Sequence, residues 1–173
     1  MPRYALGNLV PTIHADAFVH PDAVVIGDVT IGPGSSVWPM AVLRADSDRI
    51  IIGRDTSVQD AVVIHTAHGL PTVVGDRVTI GHLAHLEGCT VADDALIGVN
   101  SVVLHRAHIG NGALVAAGAV VTPDTNVPAQ AMALGVPARI REGAVAPGAF
   151  ESNVSAYREF TRQYPRDMRR LPD

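Results

Sequence analysis

The residues VADDALIGVNSVVLHRAHIGNGALVAAGAVVTPDTNV, numbers 91–127, carry an aliphatic side chain at every sixth position. An α-helix repeats every 3.6 residues and a plain strand every two, so neither alone produces this pattern. The aliphatic positions are Val91, Ile97, Val103, Ile109, Val115, Val121 and Val127. The period of six therefore indicates a chain that is built from short repeats.

The series continues towards the N-terminus as far as Ile13. Its irregular steps are nine residues after Leu43, ten after Ile64 and five after Leu86. The residue two places before the aliphatic one is usually small and glycine often follows it, which is typical of a hexapeptide β-helix. Each hexad then forms a short strand and a turn around a three-sided prism. Nineteen aliphatic positions, three to a coil, predict an all-β solenoid of about six parallel coils.

The C-terminal part follows a different pattern. Residues 128–141 read as an irregular connection after the regular series. From about Ser152 apolar residues return at helical spacing until Pro165, which predicts an amphipathic α-helix that covers the solenoid. We therefore divide the chain into a hexapeptide-repeat β-helix domain, residues 1–142, and a C-terminal connection and helix, residues 143–173.

The composition limits the functional classes. The 173 residues are 47% hydrophobic but only 4% aromatic, as expected of a thin aliphatic core, and the net charge of -4 offers no cationic surface for nucleic acid. The longest apolar run is too short to span a bilayer, and the N-terminus lacks the pattern of a secretory signal. Cys89, the single cysteine, is expected to pack inside. These features favour a cytoplasmic protein that binds neither nucleic acid nor a membrane.

The spacing also predicts which polar side chains meet. The aliphatic positions 43, 64 and 86 share one face of the prism, so Arg44, His65 and Glu87, which follow them, point outward in one column. Adjacent coils lie about 4.8 Å apart, which makes His65 and Glu87 direct neighbours. By the same count Asp60 stacks beneath His82 on another face. Within one chain, His82 therefore points away from His65.

Several of these outward residues are suitable metal ligands. His65, His82 and a further donor, Glu87 or His85, fit a Zn²⁺ site with three protein ligands and one open position. One chain can supply two ligands from one face and a second chain the third from another face, which predicts sites between the subunits of a trimer. The remaining outward histidines are interpreted as solvated side chains: His14, His20, His105 and His108.

Four motifs occur in an order that resembles the γ-class carbonic anhydrases. They are Arg44-Ala45-Asp46, Gln59-Asp60, Ile64-His65 and Gly81-His82, and the resemblance covers roughly residues 10–140. It implies a left-handed β-helix and a homotrimer with three metal sites at its subunit interfaces. It further implies that Arg44 pairs with Asp60 across the interface, that Asp46 belongs to the same ionic network, and that Gln59 hydrogen-bonds the metal-bound water.

The resemblance also identifies the ligands. His65 and His82 match two of the family's three histidines, which bind zinc, with iron or cobalt as alternative metals. At the third position Glu87 stands where histidine is expected, and His85 stands two places earlier. A carboxylate can ligate zinc, so Glu87 gives a His₂Glu set; the alternatives are His85 as third ligand and a weak or absent site. A carboxylate leaves bound water less acidic than imidazole does, so we expect reduced activity.

The resemblance thus implies a carbonic-anhydrase-type lyase, a carbonate dehydratase, in which a metal-bound hydroxide attacks CO₂ to give bicarbonate. Another small carbonyl compound is the alternative substrate. His68, on the loop after His65, is a candidate proton shuttle because histidine exchanges protons near neutral pH. Two alternatives stay open. One is a hexapeptide acyltransferase that uses acyl-coenzyme A, and the other is a non-catalytic metal-binding or assembly homologue.

Overall fold

Short strands wind around one core as a left-handed parallel β-helix. In the computed structural model, which describes residues 3–171, the solenoid has about seven turns and one C-terminal helix. In chain order the elements are β1 (Arg3–Tyr4), β2 (Thr12–Ile13), β3 (Phe18–Val19), β4 (Val24–Ile31), β5 (Ser36–Val37), β6 (Val42–Ile52), β7 (Ser57–Val58), β8 (Val63–His65), β9 (Thr72–Val74), β10 (Thr79–Ile80), β11 (His85–Glu87), β12 (Thr90–Val91), β13 (Leu96–Ile97), β14 (Val102–Val103), β15 (His108–Ile109), β16 (Leu114–Val115), β17 (Val120–Val121), β18 (Asn126–Val127), β19 (Met132–Leu134), β20 (Arg139–Arg141) and α1 (Glu151–Asp167).

The strands form three faces. Face 1 contains β1, the first halves of β4 and β6, and then β8, β11, β14 and β17. Face 2 contains β2, the second halves of β4 and β6, and then β9, β12, β15 and β18. Face 3 contains β3, β5, β7, β10, β13, β16, β19 and β20. Paired strands in the described residues run parallel, apart from the antiparallel pair of β19 and β20. Pairing between successive coils satisfies the backbone polar groups along each face.

The predicted core is confirmed. Leu43 pairs with Ile64, and Ile64 with Leu86, so one residue from each of three successive coils lies in register, and all three are 0% exposed. Burial of each such side chain contributes about 1.5–3 kcal/mol. Cys89 is also buried in this core, and its burial raises the pKa of the thiol to about 12. A thiol in this environment packs as an apolar group, as predicted.

Strands form beyond both ends of the aliphatic series, which explains the additional turn. β1 pairs with β4 ahead of Ile13, and Ala133 in β19 continues the spacing of six after Val127 with a small side chain. The interpretation of residues 128–141 as an irregular connection was wrong, because β19 and β20 form a hairpin there with Ala133 opposite Ile140. The proposed division of the chain after residue 142 stays a prediction.

The helix α1 packs on face 3 against β3 and β5. Trp38 is central to this contact, since its ring centroid lies 4.8 Å from that of Tyr164 and 5.5 Å from that of Tyr157. The prediction that Pro165 ends the helix was wrong, because the helix continues to Asp167. Pro165 lies in the last turn of the helix. Its missing N–H removes one hydrogen bond there, and only two helical residues follow it.

Candidate functional site

A column of polar side chains follows the outer surface of face 1. Arg44, His65 and Glu87 occupy equivalent positions in β6, β8 and β11, with Arg44 paired to His65 and His65 paired to Glu87. The Nδ1 atom of His65 lies 3.1 Å from Oε1 of Glu87. The predicted adjacency of His65 and Glu87 is therefore confirmed.

A bulge in β6 brings a second carboxylate to His65. The register between β4 and β6 shifts, so residues 46–49 leave the ladder. The Oγ1 atom of Thr66 accepts hydrogen bonds from the backbone N–H groups of Ser47 and Asp48, at 3.4 and 3.2 Å, and holds this bulge. Asp46 Oδ1 lies 2.9 Å from Nε2 of His65 as a result. Each ring nitrogen of His65 thus faces a carboxylate.

Arg44 contacts Asp46 within the same chain. Its guanidinium Nη1 forms an ion pair with Oδ2 of Asp46. Partial burial alone would raise the pKa of Asp46, but the hydrogen bond with His65 and the charge and hydrogen bond of Arg44 lower it below its ordinary value. Within its own chain Asp60 contacts His82, with its Oδ2 2.9 Å from Nδ1 of that histidine. The pairing of Asp60 with Arg44 of another subunit, which the resemblance implies, stays a prediction.

Three imidazoles surround the carboxylate of Glu87. Besides His65, Nε2 of His85 lies 3.3 Å from Oε2, and Nε2 of His105 lies 3.5 Å from Oε1. Burial alone would raise the pKa of Glu87, but its contacts with His105, His65 and His85 outweigh that effect and lower the pKa below its ordinary value. The interpretation of His105 as a solvated side chain was wrong, because its Nε2 atom is buried and faces Glu87.

The remaining site residues lie at the corner where face 3 leads into face 1. Gln59 follows β7 and is only 5% exposed, and Asp60 is the next residue. His82 follows β10 and precedes β11 by three residues, whereas Glu87 is the last residue of β11. His82 and Glu87 therefore lie at opposite edges of face 1 in one chain. Within residues 3–171 of that chain, no group of three or more His, Cys, Asp or Glu is arranged to hold a metal ion.

The loop after β8 is anchored next to the site. Ala67 and Leu70 exchange backbone hydrogen bonds, which leaves His68 exposed at the tip of a tight turn. The hydroxyl of Thr72 donates to the carbonyl of His65 at 2.6 Å and accepts the N–H of Gly88 at 2.8 Å. This hydroxyl therefore connects the backbone of the two strands that carry His65 and Glu87.

Several known proteins are similar to this chain in sequence. The family model Bacterial transferase hexapeptide (six repeats) matches residues 11–45 and 88–123. The carnitine operon protein CaiE of Salmonella agona is 42% identical over 140 residues, which are 81% of this chain and 71% of that protein. Gamma carbonic anhydrase 2 of Arabidopsis thaliana, a mitochondrial protein, is 43% identical over 135 residues, or 75% of this chain and 49% of the plant protein. The match thus spans about half of the plant protein's length.

Two solved structures are also similar over most of the chain. A hexapeptide transferase family protein from Anaplasma phagocytophilum has a TM-score of 0.89 and 32% identity, and covers 94% of this chain and 98% of its own. A Bacillus cereus protein assigned provisionally to the acetyltransferases has a TM-score of 0.90 and 34% identity, with 94% and 95% covered. The chain belongs to the γ-carbonic-anhydrase-like family of hexapeptide-repeat proteins.

No helix in the described range 3–171 is both long and apolar enough to cross a bilayer. The cytoplasmic location stays a prediction, since the plant relative is mitochondrial.

Proposed function

We propose that this protein is a γ-carbonic-anhydrase-like metalloenzyme that reversibly hydrates CO₂ to bicarbonate at the subunit interfaces of a homotrimer. The observation that carries the proposal is the pair of His65 and Glu87, adjacent on face 1, with Asp46 on the far ring nitrogen of His65. A histidine ligand almost always donates its second ring N–H to a carboxylate, a backbone carbonyl or a water molecule, which fixes the orientation of the ring. Asp46 is in the position to do this for His65.

The donor atoms fit zinc. Two ligands of a tetrahedral zinc ion, each about 2.0–2.1 Å from the metal, lie about 3.3 Å from each other. The separation of 3.1 Å between Nδ1 of His65 and Oε1 of Glu87 is close to that distance. Nitrogen and carboxylate oxygen are both zinc donors, and iron or cobalt accept the same set. When bound, the metal would supply the Lewis acidity that activates water at neutral pH.

A neighbouring subunit would complete the ligand set with His82. The corner that carries His82 also exposes large apolar side chains, with Met40 67%, Leu83 58% and Val99 43% exposed, and Val63 on face 1 is 38% exposed. A cluster of exposed apolar side chains often marks a site of contact with another protein. Face 1 and this corner are therefore the surfaces that we assign to the trimer contact.

The other polar residues have separate tasks in this proposal. Asp46 orients His65, and Arg44 holds the carboxylate of Asp46. Gln59, largely buried beside Asp60, would hydrogen-bond the attacking water. The exposed position of His68 on the loop after His65 suits a shuttle that carries the released proton to solvent. Replacement of His68 by alanine should lower turnover without loss of metal, and added imidazole should restore it; unchanged turnover would remove the shuttle from the mechanism.

Glu87 is the third ligand in this proposal, in preference to His85. The pairing of β8 with β11 sets Glu87 beside His65, whereas His85 pairs with Val63 at the other end of the strand. His85 instead contacts the second oxygen of Glu87. We expect a slow hydration rate, because the carboxylate adds negative charge to the metal and weakens its Lewis acidity.

A second candidate is an acyltransferase that uses acyl-coenzyme A. The similarity to the Anaplasma phagocytophilum and Bacillus cereus proteins favours it, since both are described as transferases. In that case a histidine of the interface, His65 or His82, would act as general base. The non-catalytic alternative is a metal-binding or assembly protein that forms the trimer but has lost its activity.

One experiment separates these functions. Protein without a histidine tag is purified anaerobically, and metal per trimer and the CO₂ hydration rate are measured beside Glu87→His. Bound metal with a rate raised by the substitution supports a working but detuned site. Absence of both metal and activity in the parent, even after incubation with zinc or iron, contradicts the proposal and favours a transferase or an assembly role. Light scattering at micromolar concentration should give a trimer.

A further inference from the structure

The environment of His105 differs from that of an ordinary surface histidine. Its side chain is 36% exposed overall, yet its Nε2 atom is buried and forms no regular hydrogen bond with the described residues. Oε1 of Glu87 lies 3.5 Å from this nitrogen. A buried nitrogen without a partner is costly, so a small adjustment that brings Nε2–H onto the carboxylate is favoured.

The backbone holds the His105 ring at this position. β11 pairs with β14 so that His105, two residues after the inward Val103, lies over Gly88 in the preceding coil. The N–H of Arg106 donates to the carbonyl of Gly88, at 2.6 Å, and fixes this stacking. A Cβ atom on Gly88 would lie 3.2 Å from Cδ2 of His105, so the absence of a side chain leaves the space that the imidazole uses.

The two lone-pair directions of Oε1 can serve different partners. Nδ1 of His65, in the preceding coil, lies 3.1 Å from Oε1, and a bound metal would replace this contact. His105 approaches the same oxygen from the next coil. A carboxylate oxygen accepts two such interactions. When the contact between Glu87 and His65 opens for a metal, the contact with His105 can persist.

We infer that His105 is a positioning residue for Glu87: its Nε2–H donates to Oε1 and holds the carboxylate towards the metal. The inference rests on the proposed function for its consequence, but the contact itself does not require a metal. It inverts the usual arrangement, in which a carboxylate orients a histidine ligand. Here a histidine orients a carboxylate ligand.

The first test measures zinc affinity by competition with a chelator. His105→Ala should weaken binding roughly 10- to 100-fold, the range for loss of a group that orients a ligand. His105→Gln should recover most of the affinity, because its amide can donate to the same oxygen. His108→Ala is the matched control, since His108 is an exposed histidine of β15 on face 2. Equal affinities for His105→Ala and His108→Ala would overturn the inference and leave the proposed function intact.

The second comparison excludes a general structural effect. In a Glu87→His background, His105→Ala should cost little zinc affinity, because the carboxylate through which His105 acts is absent. An unchanged penalty in that background would mean that His105 supports the fold rather than Glu87. The cobalt-substituted parent and His105→Ala proteins should also differ in their visible absorption spectra, which report the ligand geometry independently of turnover.

The third readout needs no metal. Nitrogen NMR of the imidazole in the metal-free protein should identify the tautomer of His105 with the proton on Nε2, and Glu87→Gln should shift that resonance. A proton on Nδ1 alone would overturn the inference, since Nε2 could not then donate to the carboxylate. If the parent binds neither zinc nor cobalt, the proposed function fails, whereas this measurement still decides whether His105 holds Glu87.

Discussion

Replacement of Gly88 by alanine tests the geometry around Glu87. The backbone at Gly88 has a φ of +59°, and a Cβ there would lie 3.0 Å from Cβ of Leu70 and 3.2 Å from Cδ2 of His105. Gly112 provides a matched control, with a φ of +61° and only one neighbour within 4 Å, Cγ of Gln130 at 3.6 Å. The two substitutions therefore share the backbone cost and differ in the crowding.

The magnitudes follow from this difference. An alanine in the left-handed region costs about 1–2 kcal/mol at either position. Crowding of a packed site adds about 1–3 kcal/mol, which applies to Gly88→Ala alone. For a chain of this size, 1 kcal/mol corresponds to about 2–4 °C in the melting temperature. Gly88→Ala should therefore melt roughly 2–12 °C below Gly112→Ala.

The assay is thermal unfolding of metal-free protein at one fixed concentration, because the stability of an oligomer depends on concentration. Zinc affinity is measured on the same samples. Gly88→Ala should bind zinc more weakly than the parent, since the new methyl group displaces His105 or the loop that carries Leu70, whereas Gly112→Ala should bind zinc as the parent does. Equal melting temperatures and equal affinities for the two variants would refute the reasoning.

Three further outcomes are expected. Ile64→Ala should destabilise the protein by about 2–5 kcal/mol in urea or thermal unfolding, because the side chain is 0% exposed and its removal leaves a cavity; a loss below 1 kcal/mol would contradict this packing. The double variant Glu87→His/His105→Glu should bind zinc more tightly than Glu87→His alone, because it pairs a histidine ligand with a carboxylate partner. Equal zinc affinities would argue against a direct contact between the two positions. The lowered pKa of Glu87 implies a stabilising contribution that is complete above its ordinary value of 4.5 and is lost as the pH falls through the lower value in the folded state. The parent should therefore lose more stability than Glu87→Gln on acidification below pH 4.5; parallel losses would contradict the assigned direction.

The period of six predicted the column on face 1 but not the environment around it. Residues that follow an inward side chain on a strand must point outward, so the pairing of His65 with Glu87 could be read from the spacing. Asp46 lies on a bulge, where the alternation of the strand is lost, and its contact with His65 depends on hydrogen bonds to Thr66. Only the resemblance to a family pointed to Asp46.

His105 was missed for a related reason. It lies at a corner two residues after an inward position, where the direction of a side chain depends on the turn rather than on the period. The next residue, Arg106, adopts a positive φ of 58° in this turn, outside the alternation of the strand. The available signal was the glycine at position 88, directly beneath His105 in the stack. A glycine after a candidate ligand leaves room for a side chain from the next coil.

The contacts of Glu87 also modify the expected effect of a carboxylate ligand. A glutamate at the third position should weaken the Lewis acidity of the metal, because it adds negative charge where an imidazole adds none. The contacts with His105 and His85 draw part of that charge away, and they also lower the pKa of Glu87. In the single variant Glu87→His, His105 would face a second imidazole and would have no carboxylate to accept its hydrogen bond. The CO₂ hydration rate should therefore increase less in Glu87→His than in the double variant Glu87→His/His105→Glu.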